Sequence, residues 1–278
     1  MSERRVHTSD GVALALHRVR AHRDERVAVL LVHGAFANHR LWLRRGFAYY
    51  LSERGFDVWA ADLRHHGASA REPAPRAWRF EDWILHDAPA LVTRVKDETA
   101  DAPLAWIGHS AGGAVGLCAA ARLGTALPLD ALVTLGTPGP RRMGSARWAG
   151  AAVMIALARA LGRFPARALG VGSEDEGAEL LADWLEWNVK GRWVGRDGYD
   201  YWEGLRAVRQ PYFAVAGRAD TLFAPPAACA QVVERIGDRA TLSVHDGIGH
   251  RGLVFSARAR DTAWKSTADW LADTLSGM

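Results

Sequence analysis

The sequence predicts an α/β fold: a mostly parallel, doubly wound sheet with helices on both faces and a helical segment inserted past its middle. Three observations carry this. Apolar runs such as Val27–Val32 and residues 129–135 lack polar alternation, the pattern of strands buried on both faces. They alternate with stretches of helical apolar spacing, and such alternation implies parallel pairing through right-handed crossovers. Between Gly139 and Gly204 the alternation stops, with no convincing strand pattern, and afterwards it resumes.

In chain order, Val6-His7-Thr8 and residues 12–16 flank Ser9-Asp10-Gly11, so an antiparallel hairpin on an Asp-Gly turn opens the chain. The buried strand over 27–32 follows, then a helix over 40–54 on Leu41, Phe47, Ala48 and Leu51. A strand over 56–60 precedes a helix over 80–98, whose apolar face is Trp83, Ile84, Leu91, Val92 and Val95. Strands over 104–107 and 129–135 complete the first half. Helical patterns over 148–161 and 178–187, broken by Gly170-Val171-Gly172 and Gly191, fill the insertion. The pattern returns with a strand over 211–216, a proline-started helix over 225–236, a strand over 240–245 and a closing helix over 261–275. The expected organisation is one domain, with its core in residues 1–138 and 205–278 and a helical cap in 139–204.

Composition narrows the function classes. At 278 residues, 49% hydrophobic and 24% charged, the chain buries a large core. The formal charge of +4 comes mainly from arginines scattered among acidic residues, and Arg141-Arg142 is the compact doublet of the second half. A basic stripe with interleaved aromatics does not occur, so no nucleic-acid partner is expected. Cys118 and Cys229 are far apart and lack metal-ligand spacing, which points to reduced core thiols. The start, Met1-Ser2-Glu3-Arg4-Arg5, carries no apolar leader, and the apolar run 149–158 is short and followed by Arg159 and Arg163. A cytoplasmic location without membrane insertion is the expectation.

The chemistry centres on Gly108-His109-Ser110-Ala111-Gly112, between an apolar strand and a small-residue helix. A serine on so sharp a turn is strained, and glycines two residues before and after become sterically required. The turn also aims the Ala111 N–H and the positive end of the next helix at any oxyanion formed on an attacked carbonyl. A serine hydroxyl is a weak nucleophile, so it needs an imidazole to take its proton and a carboxylate to orient that imidazole. Asp220 lies on the loop after the 211–216 strand, and His250 in Asp246-Gly247-Ile248-Gly249-His250 after the 240–245 strand. In His33-Gly34-Ala35-Phe36 the glycine lets the backbone turn, giving Ala35 as the second oxyanion donor. Phe36, His109 and Phe223 lie beside these loops and are candidates for the substrate pocket. Rival readings exist. His245 and Asp246 compete with His250 and Asp220, Asp220 has a bland reading as a helix cap, His33 and His109 read as loop braces, and His65-His66 reads as loop packing more readily than as a metal pair.

With the order serine, acid, histidine in view, the chain resembles the α/β-hydrolase fold superfamily, and within it the serine esterases, lipases and acyl hydrolases. The matching elements are His33-Gly34, Asp62-Leu63-Arg64-His65-His66-Gly67-Ala68-Ser69, Gly108 to Gly112, Gly217 to Asp220, and Gly249-His250. The resemblance implies Ser110 as nucleophile, Asp220 as acid, His250 as base, Ala35 and Ala111 as oxyanion donors, and 139–204 as a lid. The departure is His65, where relatives usually carry glycine. Implied is hydrolysis of a small carboxylic ester with an apolar portion, through an acyl-enzyme, with no metal and no cofactor. Thioesters, amides, carbon–carbon bonds and perhydrolysis remain open on the same triad, as does a hydrolase-like binding protein with little chemistry.

Overall fold

The structure, a computed structural model, describes residues 1–19, 27–71, 78–100, 102–141 and 144–275. Arg76 and Arg142 lie outside these residues, as does the side chain of Trp148. The strands are β1 (Ser2–His7), β2 (Ala13–Val19), β3 (Val27–Val32), β4 (Phe56–Asp62), β5 (Leu104–His109), β6 (Ala131–Leu135), β7 (Arg163–Phe164), β8 (Glu176–Gly177), β9 (Tyr212–Gly217) and β10 (Ala240–His245). Eight of them form one sheet in the order β1-β2-β4-β3-β5-β6-β9-β10. The β1-β2 and β2-β4 pairs are antiparallel and every later pair is parallel.

The helices are α1 (Arg40–Leu43), α2 (Phe47–Ser52), α3 (Phe80–Asp82), α4 (Ala88–Glu98), α5 (Ala111–Leu123), α6 (Ser145–Leu161), α7 (Ala178–Lys190), α8 (Tyr201–Gly204), α9 (Pro226–Ile236), α10 (Gly252–Phe255), α11 (Ala257–Asp261) and α12 (Ala263–Leu275). Strand periodicity divides the core between the two faces. On β3, Ala28, Leu30 and Val32 join α4, α5 and Val232 of α9 in one cluster, while Val27, Val29 and Leu31 join α2 and α12 in the other. A run without polar alternation is what a strand covered on both sides requires.

Two expected helices are interrupted. The 40–54 stretch breaks at Gly46, whose φ of 90° sits in the left-handed region between α1 and α2. The 80–98 stretch contains a π-helical turn, Trp83–Asp87, before α4. Pro89, in the first turn of α4, has no N–H to give the preceding turn, so the ladder re-registers there. The strand at the amino terminus also begins earlier than its pattern, at Ser2.

Between β6 and β9 the chain forms α6, the short β7-β8 hairpin, α7 and α8. The hairpin is a strand pair that residue patterning did not anticipate. Ala151, Ala158, Phe164, Ala166, Ala178, Leu181 and Leu185 make a satellite core for this segment, with Phe36 of the main body packed against it. The aromatics further along serve a different end. Trp187, Trp193 and Tyr201 are buried in the main cluster, with Phe80 5.1 Å from the Trp187 ring. Ordinary packing therefore accounts for these three.

Candidate active site

Ser110 closes β5 and opens α5 with φ 53° and ψ −120°, a backbone conformation that side chains rarely adopt. The surroundings enforce it. A Cβ on Gly108 would collide with the backbone of Gly112 and Gly113, and one on Gly112 with the carbonyls of Val32 and His33. Ser110 N donates to Leu135 O at 3.0 Å, and the Thr137 hydroxyl donates to Ser110 O at 2.8 Å. Residues 111–121 of α5 are all buried and mostly small, so the helix seats closely on the sheet. The turn that strains the serine is thus fixed from both sides.

The loops after β9 and β10 bring the acid and the imidazole together. Asp220 accepts from Phe223 N at 2.9 Å, from Ala224 N at 3.0 Å and from His250 Nδ1 at 2.6 Å. Burial alone would raise its pKa, but the His250 hydrogen bond and the two amides together hold it below the usual carboxylate value. A proton on Nδ1 leaves Nε2 of His250 as the basic nitrogen, and among the described residues nothing bonds to Nε2. The His250 ring lies 4.8 Å from that of His109, the residue before Ser110, and 5.0 Å from that of Phe223. His109 Nε2 donates to His250 O at 3.3 Å, tying the histidine loop to the elbow.

The loop after β3 supplies the remaining polar groups. A Cβ on Gly34 would lie 3.0 Å from Ser110 Cβ and 3.5 Å from Ala111 N, so this loop rests directly on the elbow. Phe36, at φ 62°, gives its N–H to Glu176 Oε2 at 3.3 Å. Among the described residues no acceptor takes the N–H of Ala35 or Ala111. The two groups that sequence reasoning singled out as oxyanion donors are therefore unused by the protein itself. Phe36 packs its ring 5.6 Å from Phe164 of the inserted segment, and Phe223 is 61% exposed beside His250.

The other histidines are engaged elsewhere. Burial, reinforced by the neighbouring His66, pushes His33 down to about 4; its Nδ1 donates to Gly34 O and its Nε2 accepts from Leu63 N. Burial, with His250 next, pushes His109 down to about 3, so both stay neutral near pH 7. His65 takes φ 63°, the left-handed conformation for which glycine is the easy choice, at a cost of about 1–2 kcal/mol, and lays its ring 4.3 Å from Trp78. His245 bonds Ser243 and Ser266, and Asp246 pairs with exposed Arg218, so neither approaches the serine's partners.

Two polar groupings were not legible in the sequence. Asp62 is fully buried, accepts from His39 N and Ala68 N, and takes a hydrogen bond from each of His17 and His39. Those imidazoles stack with centroids 3.8 Å apart and planes 25° from parallel. Both rings direct a nitrogen at one carboxylate, and the His17, His39 and Asp62 ligand atoms lie within 4.8 Å of one another, a grouping whose donor set could also hold a metal ion. His66 and Glu176, both at 0% exposure, form a second buried pair at 3.3 Å. Burial would lower the His66 pKa, yet the Glu176 carboxylate lifts it to about 9 and is itself held below its usual value. Glu176 sits in Ser173-Glu174-Asp175-Glu176, an acidic run that reads as solvated surface, and no periodicity marks its partner 110 positions away.

A sheet with a strained serine after one strand, an acid after another and a histidine after the last defines a class that sequence comparison also recovers. The model of the alpha/beta hydrolase fold family matches residues 27–169, more than half of the 278 residues, and the chain belongs to that family. Among curated proteins, mouse "Lipase member N" is 29% identical over 131 residues, covering 41% of this chain and 33% of the relative. Human "Lysosomal acid lipase/cholesteryl ester hydrolase" is 27% identical over 131 residues, with the same coverage. The matched stretch thus spans about a third of these relatives' length. Among solved structures, a thermophilic esterase from Thermogutta terrifontis superposes with a TM-score of 0.69 at 17% identity, covering 99% of this chain and 100% of the other. The Pyrococcus furiosus esterase Pf2001 gives 0.66 at 18% identity, covering 99% and 91%. MenH from S. aureus gives 0.66 at 17% identity, covering 93% and 98%. At these identities the likeness is one of fold.

Proposed function

We propose that the protein hydrolyses small carboxylic esters through an acyl-enzyme on Ser110. The observation that supports this reading is the Asp220–His250 pair, 2.6 Å apart, whose imidazole lies 4.8 Å from that of His109, the residue before a serine strained to φ 53°. Ser110 Oγ attacks the ester carbonyl carbon while His250 Nε2 takes its proton, and Asp220 stabilises the imidazolium that forms. The carbonyl oxygen becomes an oxyanion between the N–H groups of Ala35 and Ala111. Collapse expels the alcohol, which leaves with the proton from His250. Water, deprotonated by the same nitrogen, then attacks the acyl carbon and releases the acid with Ser110 restored. All steps use this chain's own groups, without a cofactor.

In this reading residues 139–204 cap the site, and Phe36, His109 and Phe223 border the space for an apolar acyl or alcohol portion. The lipase and esterase relatives agree with such a substrate class. Two buried free thiols among the described residues accord with a reducing, cytoplasmic setting. No helix among the described residues is long and apolar enough to cross a membrane.

The test is steady-state hydrolysis of p-nitrophenyl esters of graded chain length by the native protein and Ser110→Ala. Turnover is expected to fall by about 10⁴-fold or more with the fold intact. Unchanged ester hydrolysis in the variant would refute the reading. Matched oxygen, sulfur and nitrogen leaving groups then separate an esterase from a thioesterase or amidase.

A further inference from the structure

The buried carboxylate of Glu176 has no part in the chemistry just described, yet it lies against the loop that carries one oxyanion donor. Residues 172–177 run across residues 36–38 and hold the Phe36 peptides from both sides. Phe36 O accepts from Ser173 N at 2.8 Å and from Glu174 N at 3.2 Å, while Phe36 N donates to Glu176. The Glu174 carboxylate accepts from Asn38 Nδ2 and from Gly67 N. Gly172 sits so close to Phe36 that a Cβ there would overlap the Phe36 Cβ and carbonyl oxygen. Glu176 also reaches His66 in the loop after β4, so one carboxylate joins the inserted segment to both loops beside the elbow.

We propose that Glu176 is a positioning residue: by fixing the Phe36 peptide in its left-handed conformation, it keeps the adjacent Ala35 N–H aimed at the oxyanion site beside Ala111. The inference rests on the ester-hydrolase reading above. Its physical basis is directional. An apolar contact would seat the segment equally well, and a buried ion pair is weak evidence for stability, because desolvation offsets the attraction. What an ionised acceptor adds is a defined direction for each N–H that points at it. Here Phe36 N, His66 Nε2 and Gly177 N converge on two oxygens of a residue with 0% exposure.

That convergence makes Glu176→Gln informative. An amide of nearly the same shape has a single acceptor oxygen, so at least one of the three donors faces an NH2 group. The expected result is a kcat about tenfold lower with KM within about threefold, the pattern of an interaction realised in the transition state. A trifluoromethyl ketone, which binds as a tetrahedral oxyanion adduct with Ser110, should weaken by the same factor as kcat/KM. Glu176→Ala should lower kcat by up to about 10²-fold, the scale of a misplaced oxyanion donor. If the alanine variant does not fold, the near-isosteric glutamine variant decides the question alone. An unchanged kcat and an unchanged ketone Ki in folded Glu176→Gln would overturn the inference. So would parallel losses in thermal stability and KM with kcat intact. Absence of ester hydrolysis in the native protein, by contrast, defeats the underlying reading and is distinguishable from either outcome.

Discussion

Two histidine–carboxylate pairs lie close to the elbow, and they differ in what each imidazole has left to give. His250 spends one nitrogen on Asp220 and keeps Nε2 unbonded among the described residues, with its side chain 12% exposed. His66 is sealed, with Nδ1 on Arg64 O at 2.8 Å and Nε2 on Glu176. Both its nitrogens face oxygen acceptors, so below its raised pKa of about 9 His66 is held as an imidazolium with no lone pair to accept a serine proton. The comparison teaches that proximity to a carboxylate does not make a base. A free second nitrogen on the open side of the pair does.

The largest expected effect lies in the first pair. Asp220→Asn offers Nδ1 an amide instead of a carboxylate and favours the tautomer with the proton on Nε2. Turnover should fall by about 10⁴-fold. Retention of near-native kcat would show that another group orients His250, and the contrast between the pairs would be lost.

The second pair should be felt in stability against pH. His66 has a folded-state pKa of about 9 against an ordinary 6.5, so its contribution is fully present below pH 6.5 and lost as pH rises towards 9. Across that window the native protein should lose Tm more steeply than His66→Gln, which has no proton to lose there. Thermal melts at closely spaced pH values measure the difference. Equal slopes would mean that the His66–Glu176 pair is not charged in the folded state.

Sequence patterning reached the fold and the three proposed catalytic side chains because both rest on signals the chain repeats or punctuates. The β3 boundaries fall where its apolar run begins and ends, those of β10 match its alternating pattern from Ala240 to His245, and Asp220 and His250 lie on loops just past strands. What escaped was set by single long-range polar contacts. Glu176 meets His66, and His17 meets His39 over Asp62, only once the sheet and the insertion are assembled. The interruption of the 80–98 helix is a different case, because Pro89 was visible, but the apolar spacing continues through the π-turn and hid it. His65 stood out as a side chain where relatives usually carry glycine, and its φ of 63° explains why glycine suits that position.

The central claim is that Ser110 is a nucleophile activated by its neighbours, and covalent labelling tests it whatever the natural substrate. Incubation of the folded protein with a fluorophosphonate, followed by intact mass and peptide mapping, should show one adduct, on the peptide containing Ser110, and none in Ser110→Ala. A folded native protein that gains no adduct, or gains it on another serine, would contradict the account and leave a hydrolase-like scaffold in its place.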